Sequence, residues 1–172
     1  ALGVCCQWLT EIHKKNGTVV YDNIIDEKNL QLGAFKDGKY NEERIRFTYR
    51  NNVKQHIQFF PNLLENNIKS FRLSSALFPL FEYNEAILFN DSELHSDLVT
   101  LGKLFLDNNI RVTTHPGQFV IINSDTDRII QNSIRELSYH AWVFDKMGLP
   151  HTPFHAINIH GGKRGKLEKL IE

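Results

Sequence analysis

The chain has 172 residues, of which 41% are hydrophobic and 11% aromatic, so it can bury a core as one domain or as a large part of one. Lysine plus arginine equal aspartate plus glutamate at 20 each, so net charge says nothing about nucleic acid, and a phosphate-binding surface would have to come from local clustering. The only cysteines, Cys5 and Cys6, are adjacent in sequence, which excludes a disulfide scaffold and favours a reducing, cytoplasmic setting. No apolar run approaches the roughly 18 residues of a membrane span, which excludes a spanning helix.

Short strand-like stretches alternate with helical patterns along the chain. The predicted strands cover residues 1–6, 71–75, 110–115 and 155–160. The predicted helices cover residues 44–66, 92–107 and 127–147, and a further helix begins within 166–172. Their apolar stripes are Ile45, Tyr49, Val53, Ile57, Phe60 and Leu64; Leu94, Leu98, Leu101 and Phe105; and Ile130, Ile134, Leu137, Ala141 and Phe144.

Residues typical of helix caps mark the ends of the predicted helices. Ser92 and Thr126 are the expected N-caps of the second and third helices, and Gly148 followed by Pro150 ends the third. Residues 10–42 break the alternation and read as a long polar loop. A loop of this length is more often functional or mobile than a packing element.

Strands that alternate with helices at this spacing predict a parallel sheet with right-handed crossovers. An open doubly wound sheet competes, but the first predicted strand is not followed by its glycine-rich phosphate turn. The pattern favours an α/β fold of the (β/α)8 TIM-barrel type, represented by about its first four βα units, because a full barrel takes about 250 residues. Such a piece has two open sheet edges, so we expect a longer protein or self-association.

Two histidines stand at the ends of neighbouring predicted strands. His115 and His160 would both lie at the carboxyl edge of the sheet, where active sites of barrels are built, and adjacent strands are close enough for both imidazoles to reach one divalent cation. A lone histidine is more often a satisfied core or loop residue, but two at equivalent positions favour metal ligands. The remaining histidines are predicted to be surface or structural: His13, His56, His95, His140, His151 and His155.

Other polar residues near the same edge are candidates for DNA contacts. Arg72 lies within a predicted strand, and Ser74 and Ser75 lie at its end, where their hydroxyls could bond a phosphate or simply cap the next turn. Lys163 and Arg164 begin a basic run just beyond His160 that is either solvated surface or a phosphate contact.

The turn after His115 presents an amide and an aromatic ring together. Gln118 and Phe119 follow Pro116 and Gly117, and a rigid turn carrying both suits a wedge that probes a duplex, since a ring stacks on bases and an amide bonds their edges. The alternative is that Phe119 begins a small apolar plug formed with the residues at 120–122.

Three stretches in this order and spacing resemble the ultraviolet damage endonucleases of the UvdE family: "FRLSSALFPLF", the "HPGQF" turn with "NS" after it, and "INIHGGKRGK". The similarity begins at "LGVCC" and runs to the last residue. It implies a xylose-isomerase-like barrel with divalent metals, usually manganese with magnesium or zinc as alternatives, that nicks DNA 5′ to ultraviolet photoproducts. His115 and His160 match metal ligands of that family, and Gln118 and Phe119 match the residues that insert into damaged double-stranded DNA.

The resemblance leaves the remaining metal ligands to strands beyond Glu172, so we expect this chain alone to lack nuclease activity. Two other interpretations stay open. The first is a sugar isomerase or epimerase of the same superfamily, which would also place histidines at strand ends. The second is a non-catalytic module in which a half-barrel pairs its open edges with a partner.

Overall fold

The computed structural model describes residues 2–166 and residue 168. In chain order the elements are β1 (Leu2–Cys5), β2 (Leu9–His13), β3 (Val19–Asn23), α1 (Leu32–Lys36), α2 (Glu42–Glu65), β4 (Ile68–Leu73), a 3-10 helix (Phe81–Tyr83), α3 (Glu85–Asn90), α4 (Ser92–Asp107), β5 (Arg111–Thr114), α5 (Asp127–Lys146) and β6 (Ala156–Ile157).

Four strands form one parallel sheet in the order β1-β4-β5-β6, so each strand lies beside the next one in its βα series. This confirms the predicted mixed α/β fold with a parallel sheet. All four strands point the same way, so their carboxyl ends share one edge. The ladder continues one step past β6, where the Asn158 N–H donates to the Thr114 carbonyl at 2.9 Å.

The core lies between the sheet and the three long helices. Phe71 of β4 is buried, and its ring lies 6.3 Å from that of Phe59 on α2 and 5.7 Å from that of Phe105 on α4. Because side chains alternate along a strand, Arg72 projects from the opposite face of the sheet. One face of β4 therefore holds the helices, and the other presents polar groups toward the carboxyl edge.

The three long helices form where their apolar periodicity predicted them, within two residues at each end. The stripes of α2 and α4 are buried except for Leu64, which is exposed, and Ile57, which is half-buried. The predicted stripe of α5 is wrong in part, because Ile134 and Ala141 are exposed while Tyr139 and His140 are buried.

The cap of α4 is one residue earlier than predicted. Asp91, not Ser92, is the N-cap, and its carboxylate accepts the Leu94 N–H at 3.0 Å. A carboxylate there also interacts favourably with the positive end of the helix. Thr126 is the N-cap residue of α5 as predicted, although its side chain makes no capping bond. Gly148 follows α5 in the left-handed region, with φ +69°.

Residues 10–42 are not the predicted long loop. They include most of an antiparallel hairpin, β2 and β3, with partners from Leu9 opposite Asn23 to His13 opposite Val19, and the short helix α1. Both strands are largely exposed, so the hairpin pairs with itself rather than with the core and leaves no clear hydrophobic alternation to read.

The observed ends of two strands differ from the predicted ones. β4 covers Ile68–Leu73 instead of 71–75, and β6 is only two residues long instead of spanning 155–160. The helix predicted within 166–172 lies outside the described residues except at residues 166 and 168. Among the described residues, no helix is long and apolar enough to cross a membrane.

Candidate functional site

The carboxyl edge of the sheet brings the two predicted histidines into contact. His115 follows β5 directly, and His160 lies three residues beyond the end of β6. Their Nε2 atoms are 2.8 Å apart, and their rings meet edge to face with centroids separated by 4.3 Å. The structure therefore places both imidazoles at one point on the sheet edge, as the strand-end pattern predicted.

The surroundings of His115 favour its neutral form. At 2.8 Å a single hydrogen can bridge the two Nε2 atoms, so one ring donates and the other accepts. Burial lowers the pKa of His115 below its usual value, and the positive charges of His160 and Arg72 add to the effect. Neutral imidazole is the form that binds metal ions.

The donor set of the pair fits two positions on a divalent cation. Two nitrogens bound at about 2.1 Å to neighbouring positions of an octahedral ion lie roughly 3 Å apart, which is close to the 2.8 Å between the two Nε2 atoms. Within residues 2–166 and 168, no group of three or more histidine, cysteine, aspartate or glutamate side chains is arranged to hold a metal. His115 and His160 can thus supply part of a metal site but not all of it.

The remaining histidines range from exposed to buried. His13 and His151 are exposed. His56 is buried on α2 and bonds the Glu27 carboxylate at 2.7 Å, and the Nδ1 atom of the buried His155 accepts the Val112 N–H at 3.2 Å.

The turn after His115 is anchored by backbone hydrogen bonds, and its two tip residues, Gln118 and Phe119, are exposed to solvent. The Gly117 N–H donates to the Glu136 carboxylate at 2.8 Å, and the Val120 N–H donates to the Gly117 carbonyl at 3.0 Å. Val120 is buried, whereas Gln118 is exposed and 78% of Phe119 is accessible to solvent. Phe119 is therefore outside the apolar plug that the alternative interpretation proposed.

A cavity of about 550 Å³ opens beside Phe119. Its walls combine aromatic rings with polar and charged groups from the 3-10 helix and from the first half of α5. This cavity could not be anticipated from the sequence, since its two walls are about 45 to 55 residues apart along the chain, although Phe81 ends one of the motifs quoted above. The lining includes Phe81, Tyr83, Phe119, Arg128, Asn132 and Arg135.

The polar residues at the end of β4 and just beyond it differ in their contacts. Arg72 is half-buried, its buried Nε atom has no hydrogen-bond partner among the described residues, and its charge acts on His115. Ser74 accepts the Ala76 N–H at 3.2 Å, which is the local turn-capping contact that its sequence also allowed. Ser75 is exposed at the strand end.

The basic run beyond His160 is partly neutralised. Lys163 forms an ion pair with Asp125, and Lys166 reaches the other oxygen of the same carboxylate at 3.1 Å. These two ammonium groups lower the pKa of Asp125 to about 2. Arg164 is exposed in the same loop. Arg164 thus keeps more of its charge available to solvent than Lys163 does.

Asn123, the asparagine of the "NS" that follows the HPGQF turn, is fully buried where the loop that carries His115 meets the loop that carries His160, a contact that was not predicted. Its side chain accepts the Lys163 N–H at 2.7 Å and donates to the carbonyls of Lys163 and Lys166 at 3.3 and 3.0 Å. No local pattern predicts this contact, because a side-chain amide that binds the backbone of a distant loop leaves no periodic signal.

Comparisons with known proteins agree with the geometry. The sequence profile of the family described as UV-endonuclease UvdE matches residues 19–172. A UV DNA damage endonuclease of Nostoc sp. is 39% identical over 132 residues, covering 76% of this chain and 41% of the relative. A UV DNA damage endonuclease of Deinococcus radiodurans is 33% identical over 134 residues, covering 75% of this chain and 43% of the relative.

A solved structure supports the same relationship. The crystal structure of SacUVDE superposes with a TM-score of 0.71 at 31% identity, covering 84% of this chain and 48% of that chain. The chain thus spans less than half the length of these relatives. Because the profile covers nearly the whole chain, including both histidines and the Gln118–Phe119 turn, the chain belongs to the UV-endonuclease UvdE family.

Proposed function

We propose that this chain is the N-terminal half of a (β/α)8 TIM barrel in a DNA repair endonuclease. The whole protein hydrolyses the phosphodiester backbone of damaged double-stranded DNA on the 5′ side of ultraviolet photoproducts. Family membership and the names of its relatives support this assignment. The observation that carries it is the contact between His115 and His160 at the carboxyl edge, beside the exposed ring of Phe119.

The barrel proposal rests on the order of the parallel strands. Three successive crossovers place β1, β4, β5 and β6 side by side without a reversal of order. A doubly wound sheet has a point where the order reverses, whereas a barrel adds each strand next to the last one. The chain supplies four of the eight strands, and the rest of the protein closes the ring.

His115 and His160 hold a divalent metal in this proposal, manganese in the first place, with magnesium or zinc as alternatives. A bound cation lowers the pKa of a coordinated water and stabilises negative charge that develops on a phosphate. The Nε2 atoms of the two imidazoles face each other, and a cation would replace the hydrogen that bridges them, the donating ring then carrying its proton on Nδ1. Arg72 adds positive charge near the same point.

The neighbouring residues hold and distort the DNA. Phe119 stacks on a base where the duplex is weakened, and Gln118 bonds base edges next to it. Ser74, Ser75, Lys163 and Arg164 contact phosphates, which fixes the register of the duplex without reading its sequence. All of them lie on loops that follow the carboxyl ends of strands.

Incision of ultraviolet-irradiated plasmid by the whole protein tests the proposal. The protein that contains this chain should convert irradiated supercoiled plasmid to the nicked form, and a chelator should stop the reaction. His115→Ala should abolish nicking, because the metal loses a ligand. His151→Ala is the matched control, since His151 is an exposed histidine in the loop that enters β6, at the opposite edge of the sheet.

The isolated 172-residue chain should bind damaged duplex without cutting it, because two histidines cannot complete a metal site. Nicking by this chain that a chelator abolishes would contradict the half-barrel proposal. Equal nicking of irradiated and unirradiated plasmid by the whole protein would contradict the repair function.

A further inference from the structure

The position of His160 depends on a loop that the sheet barely anchors. β6 has two residues, and after the bond from the Asn158 N–H to the Thr114 carbonyl the chain leaves the ladder. Residues 159–166, here called the His160 loop, are exposed and contain no strand. Contacts elsewhere must therefore hold His160 within 2.8 Å of His115.

Asn123 provides that contact with both ends of its side-chain amide. The Asn123 Oδ1 atom accepts the Lys163 N–H at 2.7 Å, and its Nδ2 atom donates to the carbonyls of Lys163 and Lys166. The residue has no solvent exposure. A buried amide that bonds both the N–H and the carbonyl of one residue fixes the backbone of that residue in position and orientation.

The His160 loop is shaped to receive this amide. Gly162 has φ +69°, a left-handed conformation that favours glycine. A Cβ atom on Gly162 would lie 2.1 Å from Asn123 Oδ1, well inside contact distance. The close approach of Asn123 therefore requires glycine at position 162, which is two residues after His160.

Asn123 is itself fixed relative to His115. Both belong to the segment between β5 and α5, and α5 holds that segment at two points: Glu136 accepts the Gly117 N–H and Ser133 Oγ accepts the Ile121 N–H, each at 2.8 Å. The Asp125 ion pairs add a second link to the His160 loop through Lys163 and Lys166.

We propose that Asn123 is a positioning residue that sets the separation of His115 and His160. Its amide joins the two loops that carry the imidazoles, and Gly162 makes the junction possible. As far as metal binding is concerned, the inference rests on the proposed function; as a statement about loop geometry, it does not.

A second buried asparagine offers a matched control. Asn52 accepts the Lys28 N–H at 2.7 Å and donates to the carbonyls of Lys28 and Leu77 at 2.9 Å each. Like Asn123 it is fully buried and makes three bonds to backbone, but it holds a different loop. Asn52→Ala should destabilise the fold without changing the His160 loop.

Hydrogen exchange of backbone amides tests the junction without any metal. In the purified protein the Lys163 N–H should be protected, and Asn123→Ala should speed its exchange at least about tenfold, since the bonds that bury it are lost. Exchange at Val112 and Thr113 in β5 should be unchanged. Asn52→Ala should leave Lys163 exchange as it is in the unsubstituted protein.

Titration with Co²⁺ alone, followed by its visible absorption, tests the consequence for the histidine pair. Asn123→Ala should weaken Co²⁺ binding about 10-fold, an effect typical of residues that orient metal ligands, while Asn52→Ala should not weaken it. Gly162→Ala, on the exposed loop, should act in the same direction. The double substitution should weaken binding no more than either single one, because both remove the same contact.

Unchanged Lys163 exchange in Asn123→Ala would overturn the inference, as would Co²⁺ weakening of equal size in Asn52→Ala. If His115→Ala binds Co²⁺ as tightly as the unsubstituted protein, the proposed metal site fails. In that case the rate of hydrogen exchange at the Lys163 N–H alone tests whether Asn123 joins the two loops.

Discussion

At the scale of single residues, the exposed ring of Phe119 has no structural task that would account for it. It lies at the tip of a turn held by Glu136, and its solvent exposure of 78% leaves it little contact with the core. Large aromatic side chains usually bury much of their area, so a rigidly presented ring suggests a partner surface.

Phe119→Ala should weaken binding of a duplex that contains one cyclobutane dimer by about fivefold to 100-fold, since stacking on a base contributes about 1–3 kcal/mol. Phe119→Tyr should bind normally. Fluorescence anisotropy measures this, with Phe154→Ala as control because Phe154 is exposed before β6, at the other edge of the sheet. Equal affinity of Phe119→Ala and Phe154→Ala would contradict the wedge role.

His140 on α5 should make stability depend on pH. Burial lowers its pKa in the folded chain from 6.5 to about 4, so between these values the unfolded chain binds a proton that the folded chain does not. The stabilisation is complete above pH 6.5 and is lost as the pH falls toward 4, by about 1 kcal/mol per pH unit in that window.

Urea unfolding at pH 7, 6 and 5 checks this expectation for His140. The free energy of unfolding should fall more steeply in the unsubstituted chain than in His140→Leu, which has no imidazole to protonate there. Parallel curves for the two proteins would show that His140 does not carry the pH dependence.

The site residues that could be predicted from sequence are those at strand ends. His115 and His160 were recognisable because a parallel sheet aligns its carboxyl ends, and Gln118 and Phe119 because Pro116 and Gly117 mark a turn. The contacts of Asn123 and Asp125 could not be predicted, because their partners lie about 40 residues away and only the folded loops bring them together.

At the scale of elements, helices were easier to predict than strands because their apolar periodicity is long. The stripes of α2 and α4 match the buried residues closely. On α5 the buried face includes Tyr139 and His140, whose polar side chains an apolar stripe does not count, so hydrophobicity alone misplaced its inner face. The hairpin of β2 and β3 was missed because both of its faces are exposed.

The close packing of α4 against the end of α5 depends on Gly102. A Cβ atom there would lie 1.7 Å from the Met147 carbonyl oxygen, a backbone atom that cannot move independently. Gly102→Ala should therefore lower the free energy of unfolding by about 3 kcal/mol or more. Gly33→Ala in α1, where no heavy atom lies within 4 Å, should be neutral or slightly stabilising.

Thermal or urea unfolding measures the free energy of unfolding of the Gly102→Ala and Gly33→Ala chains. A Gly102→Ala chain as stable as the Gly33→Ala chain would show that the two helices pack less closely than the structure describes.

At the scale of the whole molecule, the described sheet ends in two edge strands, β1 and β6, each of which pairs with a neighbour on one side only. Open edges and exposed apolar side chains such as Leu2 and Ile134 favour association. The proposed remainder of the barrel would pair with both edges.

The purified 172-residue chain should therefore self-associate at micromolar concentration, as sedimentation velocity would show. Leu2→Lys, on the edge strand β1, should reduce association, whereas Leu106→Lys at the end of α4 should not. A chain that is monomeric at all concentrations would mean that its edges are protected.

The central claim is that His115 and His160 share one divalent cation. Crystals of the protein grown with Mn²⁺, measured at the manganese absorption edge, test it most directly. We expect an anomalous density peak within bonding distance of both Nε2 atoms, and its loss in His160→Ala. Two imidazoles that remain hydrogen-bonded to each other, with manganese bound elsewhere or not at all, would contradict it.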